Sequence, residues 1–150
     1  MPELSRLGVD PIADGLERNQ LAKLLRGRAR QMKALLLDQG VIAGIGNIYA
    51  DEILHAARVR HDRLSNSLKP AEITRLHGAI GNILGAAIAA GGSTLKDTQY
   101  VDIGGEGGWF QVSHRVYDRG GQVCLTCGKA RIQQVVSGGR TTSFCPRCQR

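Results

Sequence analysis

The sequence predicts a mainly α fold: a bundle of short helices followed by a small β-hairpin stapled by a metal ion. Three observations predict it. Apolar residues recur at helical spacing between residues 10 and 92. All four cysteines of the 150-residue chain fall near its end, as Cys124-Leu-Thr-Cys127 and Cys145-Pro-Arg-Cys148. Between these two knuckles the residues are strand formers interrupted by Gly138-Gly139. The chain divides into an N-terminal segment (1–9), a helical domain (10–92), a glycine-rich connector (93–119) and a metal module (120–150).

The helices come in order. Asp10-Pro11 is a helix start, with Asp as N-cap and Pro at the first helical position. Leu16, Leu21, Leu24 and Leu25 continue that helix until Gly27. Met32, Leu35, Leu36 and Leu37 suggest a second helix ending near Gln39-Gly40. The clearest begins at Pro70, where Ile73, Leu76, Ile80, Ile83, Leu84, Ala87 and Ile88 form one apolar stripe. Glu72 in its first turn suits the helix dipole, and Gly91-Gly92 ends it. Beyond the glycines, Trp109–Val112 and Arg115–Tyr117 read as strand-like connector.

Before the Pro70 helix lies Val41-Ile-Ala-Gly-Ile-Gly-Asn-Ile-Tyr-Ala-Asp-Glu52. Glycines opening a helix suit phosphate binding, because backbone N–H groups at a helix N-terminus point at an anion. Gly44 and Gly46 let the backbone approach closely, while Asn47 can cap the next helix and donate its amide. It is neither a dinucleotide fingerprint nor a Walker loop. A plain interhelical turn with an N-cap explains the same residues.

Two Cys-x-x-Cys knuckles can place four thiolates around one tetrahedral Zn²⁺: Cys124, Cys127, Cys145 and Cys148. Disulfides would need an oxidising compartment, and a redox pair would normally occur once, within an α/β pattern. The metal has structural work to do. Val123, Leu125, Ile132, Val135, Val136 and Phe144 are too few for an independent core, so metal binding must supply folding free energy. Arg131–Val136 and Arg140–Phe144 read as the two strands, with Arg140 just past the turn.

The net charge is +7, from 20 Lys+Arg against 13 Asp+Glu. From Arg115 onward there are seven basic residues and one acid, Asp118, so this end alone carries +6. A compact cationic module implies a polyanionic partner such as nucleic acid. An earlier basic run, Arg18 to Lys33, is equally consistent with a solvated face. No basic stretch is paired with a bulky aromatic face, which disfavours a membrane surface. Met1–Arg6 has no apolar signal region and no apolar run is long enough to span a bilayer, so a cytoplasmic, nucleoid-associated location is expected.

Four segments together resemble the C-terminal half of the formamidopyrimidine-DNA glycosylase/endonuclease VIII family: Lys33–Gln39, Ile42–Glu52, Gly91–Leu95 and Phe144–Gln149. The resemblance implies a helix–two-turns–helix domain followed by a zinc finger, both touching duplex DNA. It implies that Lys33, Asn47 and Arg140 hold phosphates flanking a lesion. Lys96 and residues 97–108 match the region that covers an everted base. The finger's inter-knuckle segment is one residue longer than is usual in the family.

Family members place a β-sandwich domain before this half, and these 150 residues contain no counterpart to it. Yet Met1-Pro2-Glu3-Leu4 resembles the family's own N-terminus, where the proline is the nucleophile and the glutamate assists proton transfer. The expectation is a zinc-dependent, duplex-DNA-binding protein derived from a base-excision-repair glycosylase, without base excision. The competing expectation is an active glycosylase or abasic-site lyase with Pro2 as Schiff-base nucleophile and Glu3 as acid/base. Double-stranded DNA, damaged or abasic included, is the expected partner of a monomer. A protein supplying the absent cleft wall is a further expected partner.

Overall fold

The computed structural model describes residues 8–89, 114–137 and 139–150. These residues form four α-helices and one hairpin, α1 (Arg18–Arg26), α2 (Met32–Leu37), α3 (Asn47–Ala57), α4 (Pro70–Ala89), β1 (Gln133–Ser137) and β2 (Arg140–Phe144), with a π-helical turn at Pro11–Gly15 and a 3-10 turn at Ser65–Ser67. The mainly helical fold with a C-terminal hairpin is as the sequence predicts.

Asp10 does cap, accepting the N–H groups of Ile12 and Ala13 at 2.9 Å each, but the element it caps is one π-helical turn, Pro11–Gly15. The single helix expected from Pro11 to Gly27 is broken. Gly15 sits at φ +78°, and Leu16 and Glu17 are extended before α1 begins. Tertiary partners hold the break: the Leu16 carbonyl meets the His77 ring, and Arg18 bonds Thr74 and the Pro70 carbonyl on α4.

The α4 stripe is largely realised. Ile73, Leu76, Ile80, Leu84 and Ala87 are buried and Ile83 is half-buried, whereas Ile88 is 62% exposed. α3 lies along α4, and α1 and α2 complete the layer around Leu21, Leu25, Met32, Leu36, Ile53 and Leu54, all essentially inaccessible. The expected glycine stop of α4 lies outside the described residues, as does the Trp109–Val112 strand.

Arg115–Tyr117 is not a strand. Its three backbone N–H groups point at one carboxylate, that of Glu52 on α3, at 2.7, 2.9 and 2.8 Å. A segment whose donors are all taken by a side chain has none left for a ladder.

The hairpin pairs Gln133 with Phe144 through to Ser137 with Arg140, and Gly139 adopts φ +77° in the turn. Of the six apolar residues in the module, Ile132 and Phe144 are buried. Val123, Leu125, Val135 and Val136 are 41%, 57%, 37% and 77% exposed. The second core is therefore Val116 and Ile132 packed on Cys124 and Cys145, with the cysteines standing where a larger domain would place more hydrocarbon.

Candidate metal centre and nucleic-acid interface

Each knuckle is a tight turn that aims backbone donors at its sulfurs. Thr126 N–H points to Cys124 Sγ at 3.4 Å, Ala130 N–H to Cys127 at 3.5 Å and Cys148 N–H to Cys145 at 3.4 Å. Gly128, at φ +65°, lets the first turn close. The four Sγ atoms lie within 4.8 Å of one another. Cys124–Cys148 and Cys127–Cys145 are each separated by 3.8 Å. Tetrahedral Zn–S bonds of about 2.3 Å require sulfurs about 3.8 Å apart, so the set fits one zinc ion without rearrangement. Backbone N–H groups at Ala130 and Lys129 hold the Cys127 thiol down, whereas burial pushes Cys145 and Cys148 up. All four cysteines are unbridged. Zinc supplies the cross-link that turns these segments into one folded module.

The module is seated on α3. Asp51 Oδ2 accepts Ser143 N–H at 3.0 Å from β2, and Glu52 takes the three amides before the first knuckle. His55 Nε2 lies 3.8 Å from Cys124 Sγ. At the chain's end, Gln149 donates to the Val59 carbonyl at 2.9 Å and accepts Cys145 N–H at 2.8 Å. Arg150 exchanges backbone bonds with Arg58 and Arg60 at 3.2 Å each. The Arg60 guanidinium lies 4.7 Å from the centre of the Phe144 ring, whose other neighbour is His61.

The glycine turn is braced by Gln39. Its Oε1 accepts Gly44 N–H at 2.8 Å, and its Nε2 donates to the Ile45 carbonyl at 3.1 Å. Gly44 needs to be glycine, at φ +98°. Gly46 does not: its φ is −93°, and a Cβ built there would meet nothing within 4 Å. Gly46 is the cap residue of α3 and, as a glycine, offers the helix no side-chain cap. The expectation that Asn47 caps the helix is corrected. Asn47 is the first helical residue, and its amide donates to the Thr141 carbonyl at 3.2 Å.

That carbonyl is a meeting point. Lys33 Nζ donates to it at 3.0 Å, to Thr142 Oγ1 at 2.8 Å, and pairs with Asp51 Oδ1 at 2.8 Å. The ammonium's three protons are thus directed at three protein oxygens, and Lys33 is 6% exposed. Burial, outweighing Asp51, lowers the Lys33 pKa, and burial raises that of Asp51 to about 6 against the pull of Lys33. Arg140 precedes Thr141 and is exposed, on a groove of about 200 Å³ that it shares with Lys33, Gln31 and His61. The structure therefore brings Lys33 and Asn47 together at the strand that Arg140 opens, with Gly46 beside Asn47, whereas Gly44 lines a separate groove with Asp10, Ile12 and Tyr49. Pro2, Glu3 and Lys96 lie outside the described residues.

Sequence reading missed Asp51, Glu52, His55 and Gln149 as functional residues. Two adjacent acids amid Ala50, Ile53 and Leu54 were the one local signal, since a carboxylate on an apolar helix face requires buried partners.

The comparisons agree with this geometry. Residues 7–99 match the model of the formamidopyrimidine-DNA glycosylase H2TH domain, and residues 121–150 that of the zinc finger found in FPG and IleRS. The formamidopyrimidine-DNA glycosylase of Desulfitobacterium hafniense is 45% identical over 148 residues, which are 99% of this chain and 53% of that protein. The Thermus thermophilus enzyme is 44% identical over 149 residues, 99% of this chain and 55% of that protein. The crystal structure of MutM (Fpg) from Thermus thermophilus superposes with a TM-score of 0.85 at 40% identity, covering 99% of this chain and 56% of that one. Lactococcus lactis Fpg, non-covalently bound to DNA containing an AP site, gives 0.85 at 34% identity, covering 99% and 52%. The chain spans about half the length of the curated relatives it matches. By its helical domain, its four-cysteine finger and their order, the chain belongs to the formamidopyrimidine-DNA glycosylase family.

Proposed function

We propose that this chain is a duplex-DNA-binding protein of base-excision repair, gripping backbone phosphates where the glycine turn and the zinc hairpin meet, without itself excising a base. One observation carries the reading: an uncapped helix N-terminus, a glycine with open space before it and an exposed arginine converge around the Thr141 carbonyl. The positive end of the α3 dipole and its leading backbone N–H groups attract phosphate, and Arg140 adds a full charge. Lys33 acts here by positioning, since it holds the turn end of the hairpin to α2 and α3. Solved relatives from Lactococcus lactis are bound to abasic-site and FAPY-dG-containing DNA, which supports a DNA partner, damaged DNA included. We place the protein with DNA in the cytoplasm.

Binding to a fluorescent duplex, titrated across salt, tests this. The log–log slope should be about −0.9 per phosphate neutralised. Arg140→Ala should make that slope shallower by about one unit and weaken all sequences alike. An affinity indifferent to salt would overturn the reading.

A second reading, an abasic-site lyase, is favoured by Met1-Pro2-Glu3-Leu4, where removal of Met1 would give Pro2 a secondary amine that forms an iminium with the sugar, releasing water. Borohydride trapping separates the two. Pro2-dependent cross-linking to an 8-oxoguanine duplex would make the chain a glycosylase, and cross-linking at an abasic site alone a lyase. No cross-link on either duplex leaves a binding protein.

A further inference from the structure

We propose that His55 is a positioning residue for the metal site, reaching from the helical domain to donate its Nε2–H to the Cys124 sulfur and so coupling zinc affinity to docking of the finger on α3. The contact is a 3.8 Å approach between two buried side chains, His55 at 5% and Cys124 at 1% exposure. Once Cys124 ligates zinc as thiolate it has no proton to give, so the ring must be the donor.

The chemistry explains why such a donor is useful. Four thiolates on one Zn²⁺ carry an excess of negative charge, and Cys124 and Cys145 hold part of it away from water. Hydrogen bonds to sulfur disperse that charge. Thr126, Ala130 and Cys148 provide three from the backbone. The ring of His55 provides one from outside the module.

It comes from a rigid place. Glu52, one turn earlier on the same face of α3, clamps the amides of Arg115, Val116 and Tyr117. The helix thus fixes both the approach to the first knuckle and its leading sulfur. Because coupling is reciprocal, an undocked finger should hold zinc less tightly, and a zinc-free finger should dock less firmly. None of this depends on whether the chain binds DNA.

The test uses the full chain with two variants. His55→Phe keeps a flat ring of similar size and removes the donor, whereas His55→Gln can return an N–H near the Nε2 position. Zinc affinity is read by chelator competition, and the sulfur-to-metal charge-transfer bands are read in the Co²⁺ form. Helical circular dichroism confirms folding. The expected result is a loss of about tenfold or more in zinc affinity for His55→Phe, as for other residues that orient metal ligands. The charge-transfer bands should shift, with most of the affinity recovered in His55→Gln. Wild-type affinity and an unchanged Co²⁺ spectrum in His55→Phe would overturn the proposal. Equal losses in both variants would overturn it too, reducing His55 to packing.

Discussion

Lys33 and Asn47, on different helices, donate to a single acceptor, the Thr141 carbonyl, at 3.0 and 3.2 Å. That shared acceptor fixes the turn end of the hairpin against α2 and the start of α3, and Asp51 completes it by holding the Lys33 ammonium at 2.8 Å. Lys33→Met should leave Asp51 buried without its cation, costing about 3 kcal/mol at neutral pH, in the range for breaking a buried pair. The cost should shrink on acidification. Asp51 already has a folded-state pKa raised from 3.8 to about 6, and removing the cation raises it further. Between that higher value and about 6 the folded variant binds a proton that folded wild type does not, so its stability deficit falls across this window and levels off below it. Urea midpoints of wild type and variant at two pH values check the sign.

Glu52→Ala removes one acceptor that serves three backbone amides. Only the Val116 donor is fully buried, at about 1–3 kcal/mol when left unpaired, and water can reach the other two, so the loss should be at least about 1 kcal/mol. Hydrogen exchange should accelerate first at Arg115, Val116 and Tyr117. A variant whose denaturant midpoint matches wild type would show that water replaces the carboxylate without penalty.

These two acids mark the limit of what the sequence reveals. The knuckles are legible because ligand spacing within each turn is local, and the α4 stripe because its period repeats over many residues. Glu52 finds its three amides, and Asp51 the Ser143 N–H, more than sixty residues away, and no local pattern encodes that. Residues 115–117 have strand-forming composition, yet the carboxylate captures their donors. The break at Gly15 was hidden for a similar reason: the Leu16 carbonyl and Arg18 are held by α4, far along the chain. Of the residues proposed to meet DNA, Gly46, Asn47 and Arg140 were legible as residue types, but the burial of Lys33 was not. A lysine in a polar-looking stretch reads as exposed until its three acceptors are seen.

Acid sensitivity should have a second, opposite component. Arg63 grips Glu72 with both nitrogens, at 3.0 and 2.9 Å, and Lys69 N–H adds a bond at 2.8 Å. Arg63 holds the Glu72 carboxyl down from 4.5 to about 2. Its contribution is present above pH 4.5 and is lost as pH falls through that window towards 2. Glu72→Gln should therefore flatten the difference in stability from wild type in that range. Metal loss at low pH affects both proteins, so the difference between them isolates Glu72.

Removing the metal should unfold the finger and spare the bundle. Purified protein is expected to carry about one zinc equivalent, and Cys124→Ser should release the hairpin while α1–α4 keep their helical signal. The large helical core contains none of the cysteines, which is why the two parts should respond separately. Zinc-free protein with an intact hairpin by NMR would contradict this.

The two glycines of the turn should separate folding from binding. Gly44 lies at φ +98°, a region that alanine enters only with strain, so Gly44→Ala should cost at least about 1 kcal/mol of stability. Gly46 has an ordinary φ of −93° and open space where a Cβ would stand. Gly46→Ala should then cost only about 0.5–1 kcal/mol, the usual difference at a cap position. Its effect should appear instead in DNA affinity, because the added methyl occupies the open space where the proposed phosphate would approach the start of α3. Fluorescence anisotropy with a labelled duplex, alongside thermal melts, reads both quantities. The expected pattern is an almost unshifted melt with clearly weakened binding for Gly46→Ala. Wild-type affinity in that variant would place the phosphate elsewhere and leave the open space at Gly46 without a role in DNA binding.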